Sequence, residues 1–158
     1  MSLNILGGND ESQPEHHEWG ASGDGPRILI ENPDRAELWA HEEVLRDAGY
    51  EVASCVGPAR VGAGESGRRT CPLLTDGECS LVSGADVVIS TTSLGDSRAI
   101  LATLSARISP RLIVEGTKLE LARNKDVTPD AIEVAQPVTP DALLAAVAKA
   151  LATRPATV

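Results

Sequence analysis

Arg27-Ile-Leu-Ile-Glu-Asn-Pro-Asp34 and Val134-Ala-Gln-Pro-Val-Thr-Pro-Asp-Ala-Leu-Leu144 decide how this chain is read. The first stretch opens as a short apolar run and breaks at Asn32-Pro33-Asp34. It then leads into a segment where Leu38, His41, Leu45 and Ala48 recur at spacings of three and four. That spacing puts them on one side of a helix, and Gly49 stands where such a helix stops. The second stretch reads as a strand, a turn and a last helix, with Thr139 as cap and Pro140 at the first helical position. Leu143, Leu144, Val147 and Leu151 form its apolar side.

Five apolar runs punctuate the chain, at 27–31, 50–55, 86–91, 111–115 and 131–135. Each is short, rich in Val, Ile or Leu and bounded by turn residues, as expected of strands buried on both faces of a parallel sheet. Helical patterns lie between them. One has Asp96 as N-cap, carries Ile100, Leu101, Leu104 and Ile108, and ends at Pro110; a shorter one spans 117–124. Strand and helix alternating at this spacing predict an α/β, doubly wound sheet.

The chain's 158 residues suffice for one core. With 42% hydrophobic residues, no Phe, one Tyr and two Trp, that core must be aliphatic. A net charge of -9 argues against a nucleic-acid surface, which needs clustered Lys and Arg. No apolar run approaches the roughly 20 residues of a membrane span. The absence of a basic stretch followed by an apolar one at the N-terminus, and the odd count of three Cys, make the cytoplasm the expected location. Residues 1–26 lack periodicity and are expected to form a flexible arm before a domain over 27–154. The adjacent His16 and His17 fall in that arm and read as solvated tail rather than metal ligands.

The two end stretches resemble the start and finish of a bacterial response-regulator receiver domain. The resemblance covers residues 27–152 and implies a flavodoxin-like, five-stranded parallel sheet of order 2-1-3-4-5. It also implies a cis peptide at Gln136-Pro137. Such domains hold Mg²⁺ on acidic groups after strand 1 and accept phosphate on an Asp after strand 3. A hydroxyl after strand 4 and a Lys after strand 5 complete the site, in the crevice at the carboxyl ends of the strands. Here the acidic pair maps to Glu31 and Asn32, the acceptor to Ser90 or Thr91, the hydroxyl to Gly116 or Thr117, and the Lys to Gln136. A hydroxyl does not form the reactive acyl phosphate, and an amide cannot neutralise phosphate. The expectation is a non-catalytic pseudo-receiver, a signalling or scaffold module without cofactor. It would act through a protein partner or a second copy, with an exposed apolar patch on the last helix. Ser90 to Ser93 could instead begin a small-anion site at the turn 92–96, or simply satisfy local backbone.

One connection departs from the family pattern. Residues 56–85 show no amphipathic helix and read as an irregular Cys/Gly-rich insert replacing the second crossover helix, with at most a turn of helix near 79–83. Gly62-Ala-Gly-Glu-Ser-Gly67 has the spacing of a dinucleotide loop, but it follows the second strand and leads to Arg68-Arg69. A flexible loop is the better reading. Cys55, Cys71 and Cys79 leave three possibilities: separate thiols, a Cys71–Cys79 disulfide or redox pair, or a metal site with His41 as fourth ligand. For His41 itself the expected place is a helix face at the edge of the core.

Overall fold

Aliphatic runs with little polar interruption become strands only if both faces can be covered, and this chain covers them with helices from either side. In the computed structural model, which describes residues 19, 23, 25–57, 71–91, 97–108 and 111–153, the strands are β1 (Arg27–Glu31), β2 (Glu51–Cys55), β3 (Val87–Thr91), β4 (Leu112–Gly116) and β5 (Ile132–Ala135). They form one parallel sheet of order β2-β1-β3-β4-β5. All five residues of β3 and of β4 are buried, which is the physical reason these two runs carry almost no charge.

The helices are α1 (Arg35–Asp47), α2 (Pro72–Thr75), α3 (Ser80–Ser83), α4 (Ser97–Ile108), α5 (Lys118–Asn124) and α6 (Pro140–Ala152). On one face, Leu38 and Leu45 of α1 and Leu143, Ala146, Val147 and Ala150 of α6 pack on Ile28, Ile30, Ile89 and Ile113. On the other face, Leu73, Val82, Ile100, Leu101, Leu104 and Leu121 pack on Leu29, Val88, Leu112 and Val114. Alternate residues of each strand thus serve opposite layers. Burying each such side chain contributes about 1.5–3 kcal/mol, and truncating a fully buried one such as Leu101 to Ala costs about 2–5 kcal/mol.

The caps follow the sequence signals. Asp34 accepts hydrogen bonds from Ala36 N and Glu37 N at the start of α1, and Thr139 Oγ1 accepts from Ala142 N ahead of α6. Gly49 takes φ +93 after α1, in the left-handed region where glycine carries no Cβ penalty. The Gln136–Pro137 peptide is cis, as expected.

Three expectations are corrected. The connection between β2 and β3 holds two helical turns rather than one, α2 with Pro72 at its start and α3 after it. Four residues make a single turn, too short to leave an apolar period in the sequence. The Gly-rich stretch 62–67 and the Asp96 cap lie outside the described residues. Ala48 is exposed at the end of α1, with Leu38, His41, Glu42 and Leu45 buried instead. The last helix carries no large exposed apolar residue; among the described residues these are Trp39 on α1 and Leu119 on α5. Within the stretch read as an arm, Trp19 donates its indole N–H to the Leu81 carbonyl at 2.9 Å and packs against the α2–α4 layer.

Candidate functional site

The carboxyl ends of β1, β3 and β4 bring two polar groups together, one on each face of the sheet. Leu29 and Val88 point toward α2–α4, so Glu31 and Ser90, two residues further on, point the same way. They are partners in the β1–β3 register, and Ser90 Oγ donates to Glu31 Oε2 at 2.7 Å. Burial pushes the Glu31 carboxyl above its usual range; the Ser90 hydroxyl and the Thr91 main chain pull against this without prevailing. Gly57, at φ +73, closes over the group: a Cβ there would stand 2.4 Å from Glu31 Oε1. Its N–H is donated to Cys55 Sγ at 3.2 Å.

Ile30, Ile89 and Ile113 face α1 and α6, which puts Thr91 and Glu115 on that side, paired in the β3–β4 register. Glu115 is wholly buried. His41 of α1 reaches it with Nε2 at 2.9 Å from Oε1 and 3.0 Å from Oε2. One turn earlier on α1, Glu37 brings a carboxylate oxygen to the same place, the ligand atoms of all three residues lying within 4.8 Å of one another. Burial alone lowers the pKa of His41. The hydrogen bond and charge of Glu115, with Glu37 adding to both effects, outweigh it and leave the imidazole raised. Buried Asn32 links strand end to helix: Nδ2 donates to Glu37 Oε2 at 3.1 Å, and Oδ1 accepts from Asp34 N at 2.9 Å.

Ser90 and Thr91, between which the acceptor position was left open, therefore serve different faces. Thr91 is 5% exposed and its Oγ1 finds no hydrogen-bond partner among the described residues. Thr117 is engaged at the start of α5. Its hydroxyl accepts from Glu120 N at 3.2 Å while its own N–H is donated to Glu120 Oε2 at 2.8 Å, a reciprocal cap on α5. Asp34 is likewise engaged as a helix cap, at the start of α1. Gln136 donates its N–H to the Gly116 carbonyl at 2.8 Å, which holds the turn after β5 beside β4.

The cysteines come together without His41. Cys55, Cys71 and Cys79 all pack against the α2–α4 layer, whereas His41 lies across the sheet, so the four-ligand set is not assembled. No disulfide joins the three. Burial, reinforced by nearby Glu31, Cys71 and Cys79, pushes the Cys55 thiol up to about 11. Sequence reasoning gave Glu115 no role. The signal was present as a lone carboxylate ending an otherwise apolar run, Leu112-Ile-Val-Glu115, opposite a His on the apolar side of a helix.

No family model matches the chain, and no curated protein matches it in sequence. In fold it is similar to a response regulator receiver protein from Sinorhizobium medicae, 22% identical over 83% of this chain and 98% of that one, with a TM-score of 0.55. A response regulator receiver domain protein from Clostridium thermocellum aligns at 20% identity over 80% of this chain and 94% of that one, with a TM-score of 0.58. An orphan response regulator of Helicobacter pylori aligns at 16% identity over 82% of this chain and 98% of that one, with a TM-score of 0.55. Strand order and these likenesses agree: the chain has the fold of a response-regulator receiver domain.

Proposed function

We propose that the chain is a pseudo-receiver, a non-catalytic signalling or scaffold module that works in the cytoplasm through protein–protein contact and without phosphorylation on aspartate. The observation that carries this reading is the bond from Ser90 Oγ to Glu31 Oε2, 2.7 Å long. Where a receiver would present an acceptor carboxylate beside metal-binding acids, β3 ends in two hydroxyls, and one is committed to the carboxylate that ends β1. The turn after β5 offers the Gln136 amide where the resemblance implies a Lys, so a phosphoryl group would meet no cation from that position. One protein of similar fold is itself described as an orphan response regulator. Trp39 at 74% exposure and Leu119 at 59% are apolar groups that a protein partner or a second copy would cover.

The test is incubation of the purified chain with acetyl phosphate and Mg²⁺, followed by intact mass measurement under acid conditions. The expected result is an unchanged mass. An added phosphoryl group that is labile to hydroxylamine would overturn the reading. The thiol-sensor alternative is weakened by the raised Cys55 thiol, because the thiolate is the reactive form. The anion-site alternative rests on the turn 92–96, which lies outside the described residues.

A further inference from the structure

We infer that Glu37, His41 and Glu115 form a binding site for a divalent first-row transition-metal ion, with the Thr91 hydroxyl beside it as a neighbouring oxygen. The inference stands apart from the signalling reading, since it uses the opposite face of the sheet from Glu31 and Ser90.

Geometry is the first argument. Zinc-like ions bind nitrogen and oxygen at about 2.0–2.2 Å, so neighbouring ligand atoms stand roughly 3–3.6 Å apart. His41 Nε2 and the Glu115 oxygens are 2.9 and 3.0 Å apart, and Glu37 adds an oxygen with all three ligand atoms inside 4.8 Å. Residues 37 and 41 are four apart on α1, which places both on one side of the helix.

Orientation is the second. The His41 ring also hydrogen-bonds to the Glu37 main chain. Because Nε2 faces Glu115, that contact falls to Nδ1, the outer bond that fixes a metal-binding imidazole. Asn32 Nδ2 holds Glu37 Oε2 at 3.1 Å in the same supporting way.

The third argument is Thr91. Its hydroxyl is buried, stands next to Glu115 in the β3–β4 register on the same face, and has no partner among the described residues. A buried hydroxyl of this kind is destabilising unless something satisfies it. An ion, or a water bound to one, would do so. With the imidazole neutral, as a ligand must be, the two carboxylates leave a double negative charge that a divalent cation balances. One imidazole nitrogen with carboxylates suits Zn²⁺, Mn²⁺ or Fe²⁺ better than Mg²⁺, which favours oxygen-only sets with retained waters.

The experiment uses the whole chain, stripped with EDTA and titrated calorimetrically with Zn²⁺, Mn²⁺ and Mg²⁺. One equivalent of Zn²⁺ or Mn²⁺ is expected to bind at least tenfold more tightly than Mg²⁺. Glu37→Gln should weaken that binding at least tenfold. The partly exposed position of Glu37 and the untouched His41–Glu115 pair make this variant fold normally. His41→Gln should abolish the rise in melting temperature that the ion gives the wild type; if that variant does not fold, Glu37→Gln decides alone. A triple Cys55→Ser, Cys71→Ser, Cys79→Ser variant should keep the binding. Failure of the wild type to bind either ion would overturn the inference. So would binding that survives Glu37→Gln, or is lost in the triple cysteine variant.

Discussion

His41 Nε2 lies 2.9 and 3.0 Å from the two carboxylate oxygens of Glu115, a residue 74 positions away that has no exposed surface. The pair ties α1 to β4 across β1 and β3, between the helix layer and the carboxyl ends of the strands. A buried charged pair is a poor source of net stability, because removing both groups from water offsets most of their attraction. It is a strong source of specificity: removing either partner takes from the other the group it faces across the sheet.

Glu115→Leu in metal-free protein should therefore lower stability by about 3–5 kcal/mol, and His41→Leu by a similar amount. The double variant His41→Leu, Glu115→Leu fills the same space with apolar atoms and should recover most of the loss. Urea unfolding of all four proteins gives the coupling directly. Equal and fully additive losses would mean the two side chains are energetically independent.

The sheet was legible because its strands are nearly continuous aliphatic runs. The expected spans 27–31, 50–55, 86–91, 111–115 and 131–135 meet the observed strands to within a residue. Thr139 with Pro140, and Gly49 after α1, marked their helix ends for local reasons that sequence carries. What was not legible depends on distance along the chain. His41 could be placed on the buried side of a helix, but its partner lies on another strand. The same holds for Cys55, Cys71 and Cys79, whose layer could not be assigned until α2 and α3 were seen to cover the face opposite α1. The resemblance maps the hydroxyl after strand 4 to Gly116 or Thr117; Gly116 ends β4 and Thr117 caps α5, a reciprocal bond with Glu120 that the sequence pattern alone did not single out.

Glu31 gives a pH dependence of defined sign. Burial holds its carboxyl above the ordinary value of 4.5, so the folded chain keeps this proton more tightly than the unfolded chain does. The stability it contributes is complete below that ordinary value and is lost as pH rises through the folded one. Glu31→Gln, neutral at every pH and still able to accept from Ser90, should match the wild type near about pH 4 and exceed it progressively toward about pH 7. Urea midpoints across that range provide the measurement, and two parallel curves would contradict it.

Thr117→Ala should cost about 1 kcal/mol, the usual value of a helix cap. Glu120→Ala should lose a comparable amount, and the double variant less than the sum, because each residue satisfies the other's main-chain N–H. A Thr117→Ala protein as stable as the wild type would remove the capping role from this position.

Cys55 should behave as an unreactive thiol although it is only partly buried. Burial raises it most, Glu31 and the neighbouring thiols add to that, and the Gly57 N–H does not offset them, leaving it at about 11 rather than 9.0. At pH 8 roughly a thousandth of it is thiolate, against about a tenth for an ordinary cysteine under the same conditions. Alkylation by iodoacetamide, resolved by site with mass spectrometry, should thus be about 100-fold slower at Cys55 in the folded protein than after unfolding in urea. Slow reaction alone could also come from restricted access, so the pH profile carries the distinction. A shielded thiol of ordinary acidity would react slowly and level off near 9.0, whereas Cys55 should keep gaining about tenfold per pH unit until near 11. A plateau at the lower value would show that Cys55 is hindered rather than held protonated.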